Sequence, residues 1–526
     1  MKKYTFIIMC VLAGMLVGCT KHPAVPQTVG TFDRQPNVFP DYRDVTVPPN
    51  IAPLNFKLME GSDECVVCFT LPDGKQQTYG GSDKIIIPED EWHEMLAQAK
   101  GKVVKVEAYV NKDGWRKFRP FTIAVAEEEI DPYISYRLIS PSYVAYEMLS
   151  ISQRNLTNFD EREIYNNMII SSEDNGQCIN CHAYKNYKTD NMQFHMRQGH
   201  GGTMIVSDGK PYKVDLKTDS TISAGVYPAW HPRHNYIAYS TNATGQSFHT
   251  KMRNKIEVID SKSDLILYDV SRNEVSNIAN DTTEFECFPT WSPDGKYLYF
   301  CSAHFEFDDS TGHEAQVITR YQTVKYNLYR KAFDPETKHF GPTELVYDAA
   351  AQDKSVTFPR VSPDGRYVLF AQGGWGCFHV WHPDADLYVT DLQTLETRPL
   401  TAANSDQAES FHNWSSNGRW ILFISRRDDG NFSRLYMAYF DKDGQAHKAF
   451  ELPQKDPNFY QFFLKSYNVP EFMIEPVGIS PQTFAKAAKQ DAKPATFVNN
   501  NNPYPTDKLH EQEIVLTRSA DTLSVR

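Results

Sequence analysis

Residues 289–300 read PTWSPDGKYLYF. The stretch contains a short strand, an Asp-Gly turn and a second strand in which aromatic and aliphatic residues alternate. An Asp-Gly pair between two such runs is a strong signal for a tight antiparallel hairpin. The stretch therefore predicts two paired β-strands that share one buried face.

The same outline occurs four times in the chain. The copies begin at residues 228, 289, 359 and 412, so they are 53 to 70 residues apart. Each hairpin is followed by a third strand, such as DLYVTD at residues 386–391, and by a fourth, more polar run. Four strands per repeat predict the blades of a β-propeller. The first copy has a different turn and the third has Val361 instead of Trp, but both keep the strand pattern.

The repeat W-S-P-D-G-[KR]-x-[IL]-x-[YF] resembles that of the TolB-like propellers over roughly residues 220 to 455. The resemblance implies an all-β propeller, usually six-bladed, so two blades must lie upstream of residue 220. Residues 133–159 and 178–218 are the candidates for these blades. We therefore expect a propeller over residues 129–455, and a solenoid of another kind is the alternative.

The first 19 residues are typical of an exported protein. Lys2 and Lys3 precede an apolar stretch that is too short to span a membrane, so residues 1–18 predict a signal peptide. The quartet LVGC at residues 16–19 resembles a bacterial lipobox. The resemblance implies a lipid on Cys19, and Thr20 after it implies an outer-membrane lipoprotein. We expect it to face the periplasm, with surface exposure left open. A cleaved signal with an incidental cysteine is the alternative.

Three further segments flank the predicted propeller. Residues 19–45 are rich in Pro, Thr, Val and Asp and predict a flexible tether. Residues 46–128 show short alternating runs that predict a small β-sandwich domain, with one helix at residues 89–99. Residues 456–526 predict a C-terminal extension that is disordered from about residue 481.

The composition excludes two classes of protein. The 526 residues include 54 Lys and Arg against 66 Asp and Glu, which gives a net charge of -12. Without an excess of basic residues, no nucleic-acid partner is expected. Because 41% of the residues are hydrophobic and 13% are aromatic, the chain has enough apolar material for folded cores, and a disordered chain is excluded.

The segment at residues 172–205 carries the most specific chemical signal. Cys178, Cys181 and His182 fit C-x-x-C-H, the attachment signature of c-type haem. In such sites the two thiols add to the porphyrin vinyl groups and the imidazole binds the iron as the proximal ligand. We therefore expect one covalent haem c per chain. A plain disulfide between the two cysteines, or a metal or dithiol redox site, remains open.

The sixth iron ligand should be a histidine or a methionine from the residues that follow. His195 and His200 are the leading candidates, and Met192, Met196 and Met204 are also available. Two histidine ligands would give a lower potential than histidine with methionine. For each of these residues, a hydrogen-bonded or surface role is an equally good interpretation.

The remaining cysteines predict structural roles. The register of the hairpin at residues 289–300 places Cys287 opposite Cys301, within disulfide reach, and leaves Cys377 unpaired. Cys65 and Cys68 also form a C-x-x-C pair, but no histidine follows them. They predict a structural disulfide or two free thiols.

Together these patterns predict a lipid-anchored c-type cytochrome that transfers electrons between redox proteins of the envelope. The alternative is a haem-free propeller scaffold that binds proteins, and a third interpretation is a haem-assisted oxidoreductase with an open sixth position. Hydrolase motifs such as G-x-S-x-G are absent from the sequence, so no enzyme activity is favoured. Several scattered histidines offer only a weak metal-site signal: His231, His304, His313, His379 and His382.

Overall fold

The computed structural model describes residues 22–27, 29–140, 148–170, 177–308, 312–498 and 518–519. The expected lipidation site, Cys19, lies outside these ranges. The described chain is all-β, with few helices, and its sheets form a small N-terminal domain and a β-propeller. Within the described ranges, no helix has the length and apolar character that a membrane crossing requires.

The N-terminal domain consists of a seven-stranded sheet, a three-stranded sheet and one helix. Helix α1 spans Glu89–Ala99, as the sequence predicts. The seven-stranded sheet contains β1 (Gly30–Thr31), β3 (Val45–Val47), β5 (Glu64–Thr70), β6 (Gln76–Gly81), β8 (Val103–Asn111), β9 (Trp115–Lys117) and β10 (Phe121–Val125). The three-stranded sheet contains β2 (Val38–Phe39), β4 (Phe56–Leu58) and β7 (Lys84–Ile85).

The structure differs from the expected tether at residues 30–45. These residues supply β1, β2 and the start of β3, and β1 and β3 each pair in parallel with a strand of the main sheet. Strands of two or three residues are too short to show an alternating pattern, which explains why the sequence suggested a linker. The described residues 30–45 therefore belong to the folded N-terminal domain and not to a tether.

Six antiparallel sheets follow, and each has at least four strands. Sheet 1 contains β34 (Ser466–Met473), β11 (Tyr133–Ile139), β12 (Ser150–Asn155) and β13 (Glu161–Asn166). Sheet 2 contains β14 (Gln177–Lys185), β15 (Lys188–Gln198), β16 (Gly202–Ser207) and β17 (Lys210–Asp215). Sheet 3 contains β18 (Val226–Trp230), β19 (Tyr236–Phe248), β20 (Ile256–Asp269) and β21 (Glu274–Ala279).

The other three sheets follow in chain order. Sheet 4 contains β22 (Glu284–Trp291), β23 (Tyr297–His304), β24 (Asn327–Asp334) and β25 (His339–Tyr347). Sheet 5 contains β26 (Ser355–Val361), β27 (Tyr367–Gly373), β28 (Asp386–Asp391) and β29 (Thr397–Pro399). Sheet 6 contains β30 (Glu409–Trp414), β31 (Trp420–Ser425), β32 (Arg434–Tyr439) and β33 (Phe450–Glu451). A single parallel pair, Ser263 with Phe285, joins sheets 3 and 4.

The first strands of the six sheets lie side by side in a closed ring. Each of β14, β18, β22, β26 and β30 contacts the next, and β34 contacts both β30 and β14. The closing strand comes from a segment that the sequence assigned to the C-terminal extension. Because β34 pairs with β11, more than 300 residues earlier in the chain, local pattern could not reveal its partner.

The segment after β34 is also ordered up to residue 498, which differs from the disorder expected from about residue 481. Helix α4 (Pro481–Ala488) buries Phe484 in the cluster between sheets 1 and 2, and Ser480 caps its N-terminus. The strands β35 (Lys493–Pro494) and β36 (Thr496–Phe497) then add to the outer edges of sheets 2 and 3. The remaining elements are α2 (His313–Arg320), α3 (Phe459–Phe462), β37 (Arg518–Ser519) and 3-10 turns at Asn167–Ile169, Tyr321–Thr323, Ala350–Gln352 and His379–Trp381.

The recurring sequence pattern is explained by two contacts that repeat from sheet to sheet. In sheet 4, the hydroxyl of Ser292 donates to Asp294 at 2.6 Å and accepts from the backbone of Tyr297 at 3.0 Å, which fixes the turn. The indole of Trp291 donates to the carbonyl of Ala229 in sheet 3 at 3.0 Å. In the same way, Trp414 in sheet 6 reaches sheet 5. The Trp of the repeat therefore ties neighbouring sheets together.

Candidate functional site: the central channel

The six first strands share one irregularity where they line the channel. In each strand, two residues face a single residue of the second strand, and the first of the two has a positive φ between 43° and 56°. Such bulges bend a strand and redirect its side chains. The six residues with positive φ are Cys181, Tyr227, Phe288, Phe358, Phe411 and Val469.

The bulge residues form the constriction of the channel. Phe288 lies 4.3 Å from Phe358 and 4.5 Å from Tyr227, and Phe358 lies 4.6 Å from Phe411, measured between ring centroids. A positive φ is costly for residues with large or branched side chains. The packing of these rings against one another holds the strained conformation in place.

The residue after each bulge residue is a proline in four sheets and a histidine in two, His182 and His412. Both histidines are almost fully buried, and both line a cavity of about 30 Å³ at the constriction. Burial lowers the pKa of each to about 3, with a further contribution from Arg137 for His182 and from Arg360 for His412. Both imidazoles are therefore neutral at physiological pH.

The next position along each strand forms the floor of a wider funnel. Here the channel opens into a cavity of about 270 Å³, which is lined by all six equivalent residues. Three of them are small and belong to sheets 2, 3 and 4: Ala183, Ala229 and Thr290. The other three are polar and belong to sheets 5, 6 and 1: Arg360, Asn413 and Glu471. We call these sets the small arc and the polar arc.

The members of the polar arc bind one another. Arg360 contacts Glu471 at 3.2 Å, and the side-chain amide of Asn413 donates to the other carboxylate oxygen of Glu471. Burial raises the pKa of Glu471, and the opposing effect of Arg360 and Asn413 does not cancel this rise. The funnel therefore combines the permanent positive charge of Arg360 with a carboxyl group whose pKa is raised by burial.

Sequence reasoning missed the polar arc. Each of its residues directly precedes the position at which Trp recurs in the repeat. Arg360 has this preceding position in the third copy and Asn413 in the fourth. Alignment of the copies would have shown that this position varies from small to charged. Glu471 had no such signal, because β34 was not recognised as a propeller strand.

The structure places the C-x-x-C-H segment on β14. Cys178 pairs with Arg197 of the next strand, and Cys181 is the bulge residue of sheet 2, with a φ of 53°. Both thiols are free, and burial raises the pKa of Cys181. Neither ring nitrogen of His182 makes a well-formed hydrogen bond with the described residues, although the backbone of Ser135 lies close enough to raise its pKa slightly.

The expected distal ligands do not converge on His182. His195 is buried and its Nδ1 lies 3.2 Å from the hydroxyl of Thr203 in its own sheet. Gln193 lies on the same face of the sheet as His195 and contacts Tyr239 in sheet 3. Tyr184 lies on the same face as His182 and packs towards sheet 1. The two histidines therefore lie on opposite faces of sheet 2 and cannot bind one iron in this arrangement.

The structure gives the other candidates different surroundings. His200 lies in the connection between β15 and β16, where its backbone carbonyl accepts a hydrogen bond from Lys213 at 3.4 Å. Met192, Met196 and Met204 are fully buried in the apolar cluster between sheets 1 and 2. These methionines therefore act as core residues in the described structure.

The described residues around His182 do not fit a haem. The two thiols and the unpaired imidazole are suitable donors, but the cavity beside His182 measures about 30 Å³ and is closed by aromatic side chains. Pockets that hold drug-sized ligands measure about 300–1,000 Å³. A porphyrin therefore has no room among the described residues as they are arranged.

Cys287 and Cys301 face each other as expected, but not through the register that the sequence suggested. Next to the turn, Thr290 pairs with Tyr299 and Trp291 with Leu298. That register alone would put Cys287 opposite Ser302, but the bulge at Phe288 shifts the pairing by one residue. Cys287 pairs directly with Cys301 across β22 and β23, and both thiols are buried and free. Their disulfide in the mature protein remains a prediction. Cys65 and Cys68 point to opposite faces of β5, because Cys65 belongs to the main core and Cys68 to a separate cluster. They are therefore two free thiols, not a disulfide.

The scattered histidines do not form a metal site. His231 packs in the turn region, where its Nε2 lies 3.1 Å from the carbonyl of Gly295. His382 lies 3.1 Å from both carboxylate oxygens of Glu257, a pair that is 1% exposed. In the part of the chain that the structure covers, no three His, Cys, Asp or Glu side chains are grouped to hold a metal ion.

No protein-family model and no curated protein matches the sequence. Several solved structures resemble parts of the chain at low similarity. A TolB from Acinetobacter baumannii is 13% identical, with 73% of this chain and 85% of that chain covered and a TM-score of 0.37. A hypothetical selenium-binding protein from Sulfolobus tokodaii is 6% identical, with 70% and 96% covered and a TM-score of 0.39. Prolyl oligopeptidase B from Galerina marginata is 11% identical, with 61% and 44% covered and a TM-score of 0.35.

Proposed function

We propose that the protein is a binding scaffold of the bacterial cell envelope, built as a six-bladed TolB-like propeller and anchored to the outer membrane by a lipid on Cys19. The partner binds at the funnel of the central channel. One observation carries this proposal: the channel is blocked by aromatic rings at its constriction and opens on one side into a cavity of about 270 Å³. A channel of this shape receives a ligand from one side only.

The funnel has the chemical character of a recognition site. Trp230, Trp291 and Tyr187 line its wall, together with several prolines, and the polar arc lies at its base. Rigid aromatic side chains and arginine contribute most of the energy at binding sites, because they present large contact areas at a small entropic cost. The sheets hold these residues rigidly, so the site needs little reorganisation on binding.

The proposal is tested by photo-crosslinking in intact cells of the native host. A benzophenone amino acid in place of Tyr187, in the funnel wall, is expected to give specific adducts with an envelope protein. The same amino acid in place of Leu345, which is 52% exposed on the outer strand of sheet 4, is the matched control and should give none. Absence of adducts at position 187, or equal adducts at both positions, would contradict a funnel-centred scaffold.

A c-type cytochrome is the second candidate function. It is favoured by one observation, the buried imidazole of His182 without a well-formed hydrogen bond beside two free thiols. Buried polar atoms without partners are rare and often indicate a missing ligand. A haem at this site would require the aromatic residues of the constriction to move apart.

A pyridine haemochrome spectrum separates the two candidates. Protein produced in a host that matures c-type cytochromes is compared with its Cys178→Ala/Cys181→Ala variant. The scaffold proposal predicts folded, colourless protein in both cases, because the described site has no room for a porphyrin. A covalent haem signal in the wild-type protein that disappears in the variant would establish the cytochrome instead.

A further inference from the structure

We propose that the funnel binds a ligand that ends in a carboxylate, with Arg360 as the anchor for the carboxylate and the small arc as the seat for an apolar body. The inference rests on the proposed function and specifies the chemistry that the funnel recognises. It follows from the asymmetry of the funnel floor, where six structurally equivalent positions are divided into a small half and a polar half.

The small arc creates the space. Ala183, Ala229 and Thr290 replace the larger side chains that Arg360, Asn413 and Glu471 place at the same level of the channel. The cavity therefore extends over sheets 2, 3 and 4. Its walls there are Trp230 and Trp291, so an apolar group fits this side. A cavity of about 270 Å³ is slightly smaller than the pockets of drug-sized ligands, which suits one or two amino-acid residues or a small organic acid.

Arg360 supplies the charge. It is the only cationic residue among those that line the cavity, and its side chain is 27% exposed although it lies at the base of the funnel. One of its nitrogens contacts Glu471 at 3.2 Å, which leaves further guanidinium donors for a ligand. Arginine binds carboxylates through two parallel hydrogen bonds, and such charge-assisted bonds are strong where water is excluded.

Glu471 sets the balance of charge in the funnel. It is the only acidic residue among those that line the cavity, and Asn413 holds its second oxygen in place. One carboxylate oxygen of Glu471 contacts a single guanidinium nitrogen of Arg360 and the other accepts from Asn413, so the pair leaves the remaining guanidinium nitrogens for a ligand.

The test uses a fluorescein-labelled hexapeptide that ends in Leu-Phe, once with a free C-terminal carboxylate and once as the amide. Binding to the full mature chain is measured by fluorescence anisotropy. We expect the free acid to bind about tenfold more tightly or better, because a charge-assisted hydrogen bond contributes about 1.5–3 kcal/mol. This comparison needs no variant, so it does not depend on whether a substituted protein folds.

Three variants test whether Arg360 and the small arc bind the peptide as proposed. Arg360→Gln is expected to bind the acid and the amide equally, whereas Arg330→Gln, which removes an arginine from the outer part of sheet 4, is the matched control and should keep the preference. Ala229→Leu fills the small arc and is expected to weaken binding of both peptides. Equal binding of acid and amide by the wild-type protein, or an unchanged preference in Arg360→Gln, would overturn the proposal.

The same assay distinguishes the sources of the carboxylate. Competition by 3-phenylpropionate at concentrations similar to those of the unlabelled peptide acid would identify a small organic acid as the ligand. Competition by the peptide acid alone would identify the C-terminus of a protein. If the protein binds the acid and the amide equally but the benzophenone adducts at position 187 persist, Arg360 does not anchor a carboxylate. The scaffold function would still stand.

Discussion

A chain truncated after Lys465 is expected not to close the ring of sheets and to lose cooperative folding. The truncation removes β34, which is the innermost strand of sheet 1 and pairs with β11 along its length. Tyr467, Phe472 and Met473 of this strand are at most 1% exposed. Burial of each such side chain contributes about 1.5–3 kcal/mol. The total is comparable to the net stability of a folded domain, about 5–15 kcal/mol.

Urea unfolding followed by circular dichroism measures this effect. The matched control is a chain truncated after Val498, which keeps β34, α4, β35 and β36 and loses only β37 among the described elements. This control should unfold in one transition with a midpoint close to that of the full chain. If the chain ending at Lys465 shows the same midpoint as the control, β34 does not close the ring in the way that the register indicates.

Replacement of Phe358 in the constriction is expected to have the second-largest effect. The ring is 5% exposed and packs against Phe288 and Phe411, so Phe358→Ala should lower the free energy of unfolding by about 3–5 kcal/mol. Phe358→Gly should be less destabilising than Phe358→Ala, by about 0.5–1 kcal/mol. The reason is the φ of 54° at this position, which glycine adopts without strain and alanine does not.

Phe370 provides the matched control for the expectation that the glycine variant is more stable than the alanine variant. It is the single residue of β27 that faces the bulge at Phe358, it is fully buried, and its φ is not positive. At Phe370 the usual order applies, so the glycine variant should be less stable than the alanine variant. Denaturant unfolding of the four variants decides the matter. The same order at both positions would show that residue 358 does not have the strained conformation in solution.

The sequence determined the repeating unit and its local chemistry. The Ser-Pro-Asp-Gly turn of residues 292–295 predicts a hairpin, and the structure shows the hydroxyl and carboxylate contacts that make this sequence suitable. The hairpin also brings Cys287 opposite Cys301, although the bulge at Phe288, which the sequence did not predict, is needed for this pairing. These features depend on residues no more than 14 positions apart, where turn geometry and strand alternation largely decide the structure.

The tertiary structure alone decided how the repeats are joined and which residues meet in the channel. The pairing of β34 with β11 is not encoded by any local pattern, because it depends on the closure of the whole ring. The polar arc brings Arg360 into contact with Glu471 across 111 residues. The C-x-x-C-H motif identified reactive residue types, but a bulged strand placed His182 and His195 on opposite faces of one sheet. Sequence spacing determines which residues meet within one hairpin. Which side chains meet across the propeller depends on the register of all the strands around its axis.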